Sequence, residues 1–158
     1  MTSSTTNVAP KISELQENLT PETVYAVKTF MSYLAKENLS GIVKVLLYGS
    51  RARGNFDADS DIDMAVVFEG PVQNSDERFA LQMPLSKIRG IAMRETAMTV
   101  SAIALWEEEL REPEKQKNPA FYHNVNQDGI DAETIMSLRC QLRQGVFRFR
   151  KKGIPFSL

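Results

Sequence analysis

The sequence is short of the residues that cross-link a chain or carry it into a membrane. Its 158 residues include one cysteine, Cys140, which excludes any intrachain disulfide and suits a reducing cytoplasm. No apolar run approaches the ~20 residues needed to span a bilayer, so no membrane association is expected. The N-terminus, Met1-Thr2-Ser3-Ser4-Thr5-Thr6-Asn7, lacks the basic region and following apolar stretch of a secretion signal. The expected location is therefore cytoplasmic. Neither charge sign dominates: 19 Lys and Arg against 20 Asp and Glu leave a net −1, so global charge recommends neither nucleic acid nor a membrane surface as partner. No internal repeat is visible. What is present is ordinary for a globular chain, with 42% hydrophobic and 25% charged residues. The length fits one domain that can bury a core without disulfides.

Residues 1–19 are polar and read as a flexible N-terminal segment. Thr20-Pro21 is a helix start, a hydroxyl at the cap and a proline at the first helical position. Val24, Val27, Phe30 and Leu34 follow at helical spacing, and Leu39-Ser40-Gly41 ends the helix. Ile42 to Tyr48 is a β-branched apolar run and reads as a buried strand. Gly49 to Ser60 is a small, polar and charged connection, and Ile62 to Phe68 a second strand stopped by Gly70-Pro71. Ser75-Asp76-Glu77 caps a helix running to about Glu95, which Pro84 should kink or split. Met98 to Leu105 reads as a third strand. Three short helices follow, one from Trp106 to Pro113, one from Pro119 to Asn126, and one capped by Asp131 and ended near Gly145. The expected fold is α/β (α+β): a small mixed β-sheet flanked by helices, its first two strands antiparallel because about a dozen residues join them. A core domain over residues 20–130 would carry a C-terminal helix and basic tail, 131–158, packed on it.

Two short motifs carry chemistry. Gly49-Ser50 directly follows a strand, where a glycine admits close backbone approach and turn amides favour an anion. The Ser50 hydroxyl adds a donor, and Arg51 and Arg53 add positive charge. Taken alone, the pair reads first as an ordinary strand–turn glycine with surface arginines. Asp61 and Asp63, two apart on a strand, point to one face. Such carboxylates repel unless a cation lies between them, and Mg²⁺ takes one or two carboxylates with water and phosphate oxygens. Taken alone, they read first as a solvated pair at a strand's exposed start.

In combination the string Gly49-Ser50-Arg51-Ala52-Arg53-Gly54, then Ser60-Asp61-Ile62-Asp63, resembles the polymerase-β-type nucleotidyltransferases. In particular it resembles their minimal bacterial branch, whose motif is Gly-Ser, ten residues, Asp-x-Asp. The resemblance is strongest from Val43 to Phe68, extends to Asn118–Ile130, and spans most of residues 20–130. It implies that Gly49 and Ser50 hold the β- and γ-phosphates of a nucleoside triphosphate such as ATP. Asp61 and Asp63 would bind Mg²⁺. Arg51 and Arg53 would neutralise phosphate charge, with Arg53 alternatively packing against the turn. The implied reaction is in-line attack of a hydroxyl on the α-phosphorus with loss of pyrophosphate.

The family's third carboxylate falls at or near Ser101, where this sequence has no acid. Glu107, Glu108 and Glu109 read as a solvated first helical turn, and Asp57 and Asp59 as loop, with Asp59 able to join a metal site if the strand starts early. His123 reads as a structural or surface residue before a general base, Cys140 as packing, and Trp106 as core or rim. From Ile135 to Leu158 there are six basic residues (Arg139, Arg143, Arg148, Arg150, Lys151, Lys152) and no acid, interleaved with Phe147 and Phe149. That tail reads either as an RNA or acidic-protein contact or as a solvated segment packed by its phenylalanines. The resemblance implies transfer of a nucleotide, AMP, to a hydroxyl of a protein partner such as a separate helical RNase toxin; self-association is also open. The alternatives are a non-catalytic nucleotide- and partner-binding module, and a small-molecule (antibiotic) or RNA nucleotidyltransferase.

Overall fold

Thr20 begins the first helix as expected. Its Oγ1 accepts from the Thr23 amide at 3.2 Å, and Pro21 follows with no amide to lose. The computed structural model describes residues 17–72 and 74–139, without the side chains at 138 and 139. Residues 1–16, Cys140, Gly145 and the tail that follows, to which several expectations attach, lie outside them. Helix α1, Pro21–Lys36, buries Val24, Val27, Phe30, Met31 and Leu34, each worth about 1.5–3 kcal/mol when fully buried. Asn38 and Gly41, both at positive φ, turn the chain into β1, Ile42–Tyr48. A four-residue helix α2, Ser50–Arg53, follows Gly49 inside the connection that carries no apolar period in sequence. Then come β2, Ile62–Phe68, and α3, Ser75–Thr96.

Helix α3 is continuous through Pro84, so the expected kink or split does not take the form of a break. Pro84 deprives the Ala80 carbonyl of its partner. Ala80 is exposed, so water can serve that oxygen. The cap lies one residue earlier than expected, at Asn74, whose side chain accepts from the Glu77 amide. Strand β3, Val100–Trp106, leads into α4, Glu107–Arg111, a single turn of 3₁₀ helix at Pro113–Lys115, and α5, Pro119–Asp128. A two-residue strand β4, Ile130–Asp131, precedes α6, Ala132–Arg139. Asp131 accepts from the Glu133 amide at 2.8 Å and so caps α6, as its position suggests.

The four strands form one mixed sheet in the order β3-β2-β1-β4. β1 is antiparallel to β2 and to β4, and β2 is parallel to β3 across the long α3 crossover. The sheet has a helix layer on each face. On one, Val45, Leu47, Ile62, Met64, Val66, Val100 and Ala104 pack with residues of α1, α3 and α6. On the other, Leu46, Ala65, Val67 and Leu105 pack with Leu110 and Val125 of α4 and α5. Alternation along β2 places Asp63 on this second face, beyond the last apolar layer.

Glu109 departs from the expected solvated turn. It is only 4% exposed. Its carboxylate accepts from the Trp106 amide at 3.0 Å, from Tyr122 Oη at 3.3 Å and from the Arg78 guanidinium. That guanidinium also donates to the Ala104 carbonyl and lies over the Trp106 ring. The network ties α3, the end of β3, α4 and α5 together. Glu107 is exposed and Glu108 half-buried.

Candidate active site

The candidate residues meet at one end of the sheet, where β1 leaves and β2 and β3 enter. Antiparallel pairing sets Tyr48 opposite Asp63, and parallel pairing sets Ser101 beside Asp63 on its other flank. Gly49 turns the chain at φ 77° and ψ −161°, a region open almost only to glycine. A Cβ at this position would stand 2.5 Å from Oδ2 of Asp63, so the carboxylate rests against the bare Cα. The sequence motif is thus a physical contact: the turn is a glycine partly because the acid occupies the space a side chain would fill.

Ser50 begins the short α2 and is half-exposed. Its carbonyl accepts from the Gly54 and Asn55 amides, while the Gly49 carbonyl accepts from those of Ala52 and Arg53, closing a tight turn. The first amides of such a turn have no partner within it and suit an anion. Gly54, at φ 83°, ends the turn in the left-handed conformation.

Asp61 is exposed just ahead of β2, and Asp63 is half-buried within it. Burial is the main force raising the Asp63 carboxyl above the usual carboxylate range; the like charge of Asp61 adds to it, and Arg53 opposes it. Burial, assisted by the Asp63 charge, also pushes the Tyr48 hydroxyl up to about 12. Tyr48 was not singled out in sequence, although the residue before Gly49 is the one a hairpin would place opposite Asp63.

The two arginines have different places. Arg53 is 43% exposed; it donates to Asp128 at the end of α5 at 2.7 Å and to Asn55 Oδ1 at 3.3 Å. Its charge reaches Asp63. Arg51 is 5% exposed and lies under the loop that precedes Asp61, with its guanidinium on backbone carbonyls and over the Phe56 ring. Arg51 thus packs its guanidinium on the backbone of the connection, whereas Arg53 touches the connection only through the Asn55 side chain.

The expected loop roles of Asp57 and Asp59 hold. Asp57 uses its carboxylate on the Asp59 amide at 3.0 Å and the Ser60 hydroxyl at 3.2 Å, and the strand starts no earlier than Ile62. His123 is exposed and lies 2.5 Å from Glu114 on the surface of α5. Among the described residues, no group of three or more His, Cys, Asp or Glu is arranged to hold a metal. The pair Asp61 and Asp63, with Ser101 alongside, offers hard oxygen donors only. A half-buried carboxylate burdened by its neighbour's charge gains from a cation placed between the two, so this set fits one ion of the Mg²⁺ type.

No helix of the described residues is long and apolar enough to cross a membrane. Residues 29–130 match the family model described as Polymerase beta, Nucleotidyltransferase. Among solved structures, the chain is similar to a Sulfolobus solfataricus protein described as a candidate nucleotidyltransferase. There the identity is 24%, the TM-score 0.45, and the match covers 70% of this chain and 81% of that one. It is also similar to a chain of a toxin–antitoxin structure containing AMP-PNP, at 18% identity and a TM-score of 0.41, over 63% of this chain and 66% of that one. No curated protein matches the sequence.

Proposed function

The chain belongs to the polymerase beta nucleotidyltransferase family, and on that footing we propose that it binds a nucleoside triphosphate with Mg²⁺ and transfers the nucleotide, AMP, to a hydroxyl of a protein partner. The observation that carries this reading is the contact between Gly49 and the Asp63 carboxylate, which brings an anion-type turn against a cation-type pair. Gly49 and Ser50 would hold the terminal phosphates through turn amides and the hydroxyl. Asp61 and Asp63 would hold the Mg²⁺, and Arg53, the exposed arginine, would face phosphate charge. Bound there, Mg²⁺ would neutralise the triphosphate and stabilise charge on the departing oxygens. The acceptor hydroxyl oxygen bonds to the α-phosphorus, the bridging oxygen leaves with pyrophosphate, and the hydroxyl proton passes to water. The rim position favours an acceptor presented by another protein: Asp61 is exposed, and Ser50 and Arg53 are reached from solvent.

A second reading, nucleotide and partner binding without turnover, is favoured by one observation. Ser101 stands beside Asp63 where a third carboxylate would act, and a neutral hydroxyl is a poorer proton acceptor and cation ligand than a carboxylate. The two readings separate in one experiment. The full chain is incubated with its co-purified partner, labelled ATP and Mg²⁺ or Mn²⁺, wild type beside Asp63→Asn. Label on the partner in the wild type and not in the variant supports transfer. A wild type that binds ATP but labels nothing with either metal leaves binding alone. A wild type that does not bind ATP refutes both.

A further inference from the structure

We propose that Arg51 is a positioning residue: from beneath the loop at residues 57–60 its guanidinium fixes the approach to Asp61 and so presets the carboxylate pair for a divalent cation. The identity of that cation rests on the reading given under Proposed function; the hold on the loop does not.

An arginine is rarely buried without a reason, because its charge loses water that something must replace. For Arg51 the replacement is a set of neutral oxygens. Nε donates to the Ser60 carbonyl at 3.1 Å. Nη2 donates to the carbonyls of Asp57 and Ala58 at 3.4 and 3.5 Å. Nη1 donates to Thr23 Oγ1 at 3.3 Å, and the Phe56 ring covers the guanidinium with its centroid 4.5 Å from Cζ. Three of the four acceptors therefore belong to the short segment that delivers the chain to Asp61. The fourth belongs to the capped first turn of α1, where Thr23 Oγ1 is 3.0 Å from Thr20 Oγ1. The loop is thereby tied to the helical layer.

The local turn has its own bonds: the Ser60 amide donates to the Asp57 carbonyl and the Asp57 amide to Ser60 Oγ. Those set the shape of the turn. Arg51 sets where the turn sits relative to Gly49, because its own backbone is the second residue of α2, one after Ser50. A single side chain thus spans the two halves of the site, from the phosphate-type turn to the approach of the first carboxylate. The geometry requires the planar fork. A lysine keeps the charge but is a point donor on a flexible stem and cannot address the Ser60, Asp57 and Ala58 carbonyls and Thr23 Oγ1 together.

The test uses the full chain with Arg51→Lys beside wild type. Amide exchange is followed at residues 57–61 and in β1 and β2, and Mn²⁺ and Mg-ATP affinities are titrated. The expected result is exchange at 57–61 faster by about tenfold or more with β1 and β2 unchanged. Mn²⁺ affinity should fall on the order of 10–100-fold, the scale found when groups that orient metal ligands are removed. A uniform rise in exchange throughout the chain, or unchanged exchange at 57–61, overturns the positioning role. Unchanged Mn²⁺ affinity with a loosened loop overturns its link to the cation. If Arg51→Lys does not fold, Phe56→Leu, which removes only the cover, carries the same comparison with an expected loss of about threefold. A wild type that binds neither Mn²⁺ nor Mg-ATP refutes the reading under Proposed function and the metal part of this proposal, while exchange at 57–61 still judges the hold on the loop.

Discussion

Replacing Gly49 with alanine tests the site at its tightest contact. Two effects are expected. The backbone at φ 77° and ψ −161° is strained for any residue with a Cβ, which costs on the order of 1–3 kcal/mol. For a chain of this size that is a fall in melting temperature of roughly 3–10 °C. The new methyl would also stand 2.5 Å from Oδ2 of Asp63. The carboxylate must retreat by about 1 Å, a displacement that matters wherever ligands are held in a fixed geometry. Gly70→Ala is the control: Gly70 also sits at positive φ, +80°, but nothing lies within 4 Å of its would-be Cβ. Thermal unfolding in EDTA should show a loss for both variants, the larger for Gly49→Ala, where the clash adds to the backbone strain. Titration with Mg-ATP should show near wild-type affinity for Gly70→Ala and a loss of at least about tenfold for Gly49→Ala. Gly49→Ala binding Mg-ATP like wild type, with only the stability loss of Gly70→Ala, would refute the idea that this glycine sets the place of Asp63.

Asp63→Asn should stabilise the metal-free protein at neutral pH. Folding raises this carboxyl, so its ionised form weighs against the folded state; the handicap is absent below the usual value near 3.8 and grows as pH rises through the folded value. The melting temperature of the variant in EDTA should exceed that of wild type at pH 7.5 and converge with it near pH 4. A variant less stable than wild type at pH 7.5 would contradict the burial argument. Glu109→Ala removes the acceptor of the Trp106 amide and the partner of Arg78. The cost is expected at about 2–4 kcal/mol in urea unfolding, below the fully buried limit because Arg78 can regain water. A change under about 1 kcal/mol would show the network to be dispensable.

The strands that build the site could be read from sequence with their true ends. Ile42–Tyr48 and Ile62–Phe68 are apolar, β-branched runs bounded by glycine or polar residues, and their short link dictated the antiparallel pairing. That pairing is enough to bring Gly49 to Asp63. The sequence pattern puts the third strand about two residues early, because Met98 and Thr99 continue it, whereas Trp106, a helix start by that pattern, closes the strand. β4 was invisible: two residues carry no period, and Ile130–Asp131 is a strand only because Leu46 and Leu47 lie alongside. The four-residue α2 has no stripe to detect. Charged residues were the least readable. Arg51 and Arg53 are chemically alike in sequence, and only the path of the loop decides that one is buried on carbonyls and the other faces Asp63. Likewise Glu107, Glu108 and Glu109 form one acidic run, but only Glu109 points inward, where the Trp106 amide and Arg78 await it.

The register of β1 on β2 has a kinetic consequence. Gly49, Ser50, Arg51, Arg53, Asp61 and Asp63 all lie within one hairpin, residues 42–68, whose strands are joined by a short loop. Closing a short loop loses little chain entropy, so this pairing is entropically favoured over β2 on β3, which must wait for the whole α3 crossover. By that argument the two motif halves are expected to meet as a local unit before Ser101 joins them on β3. The like charges of Asp61 and Asp63 would then be confronted early, on the way to the fold.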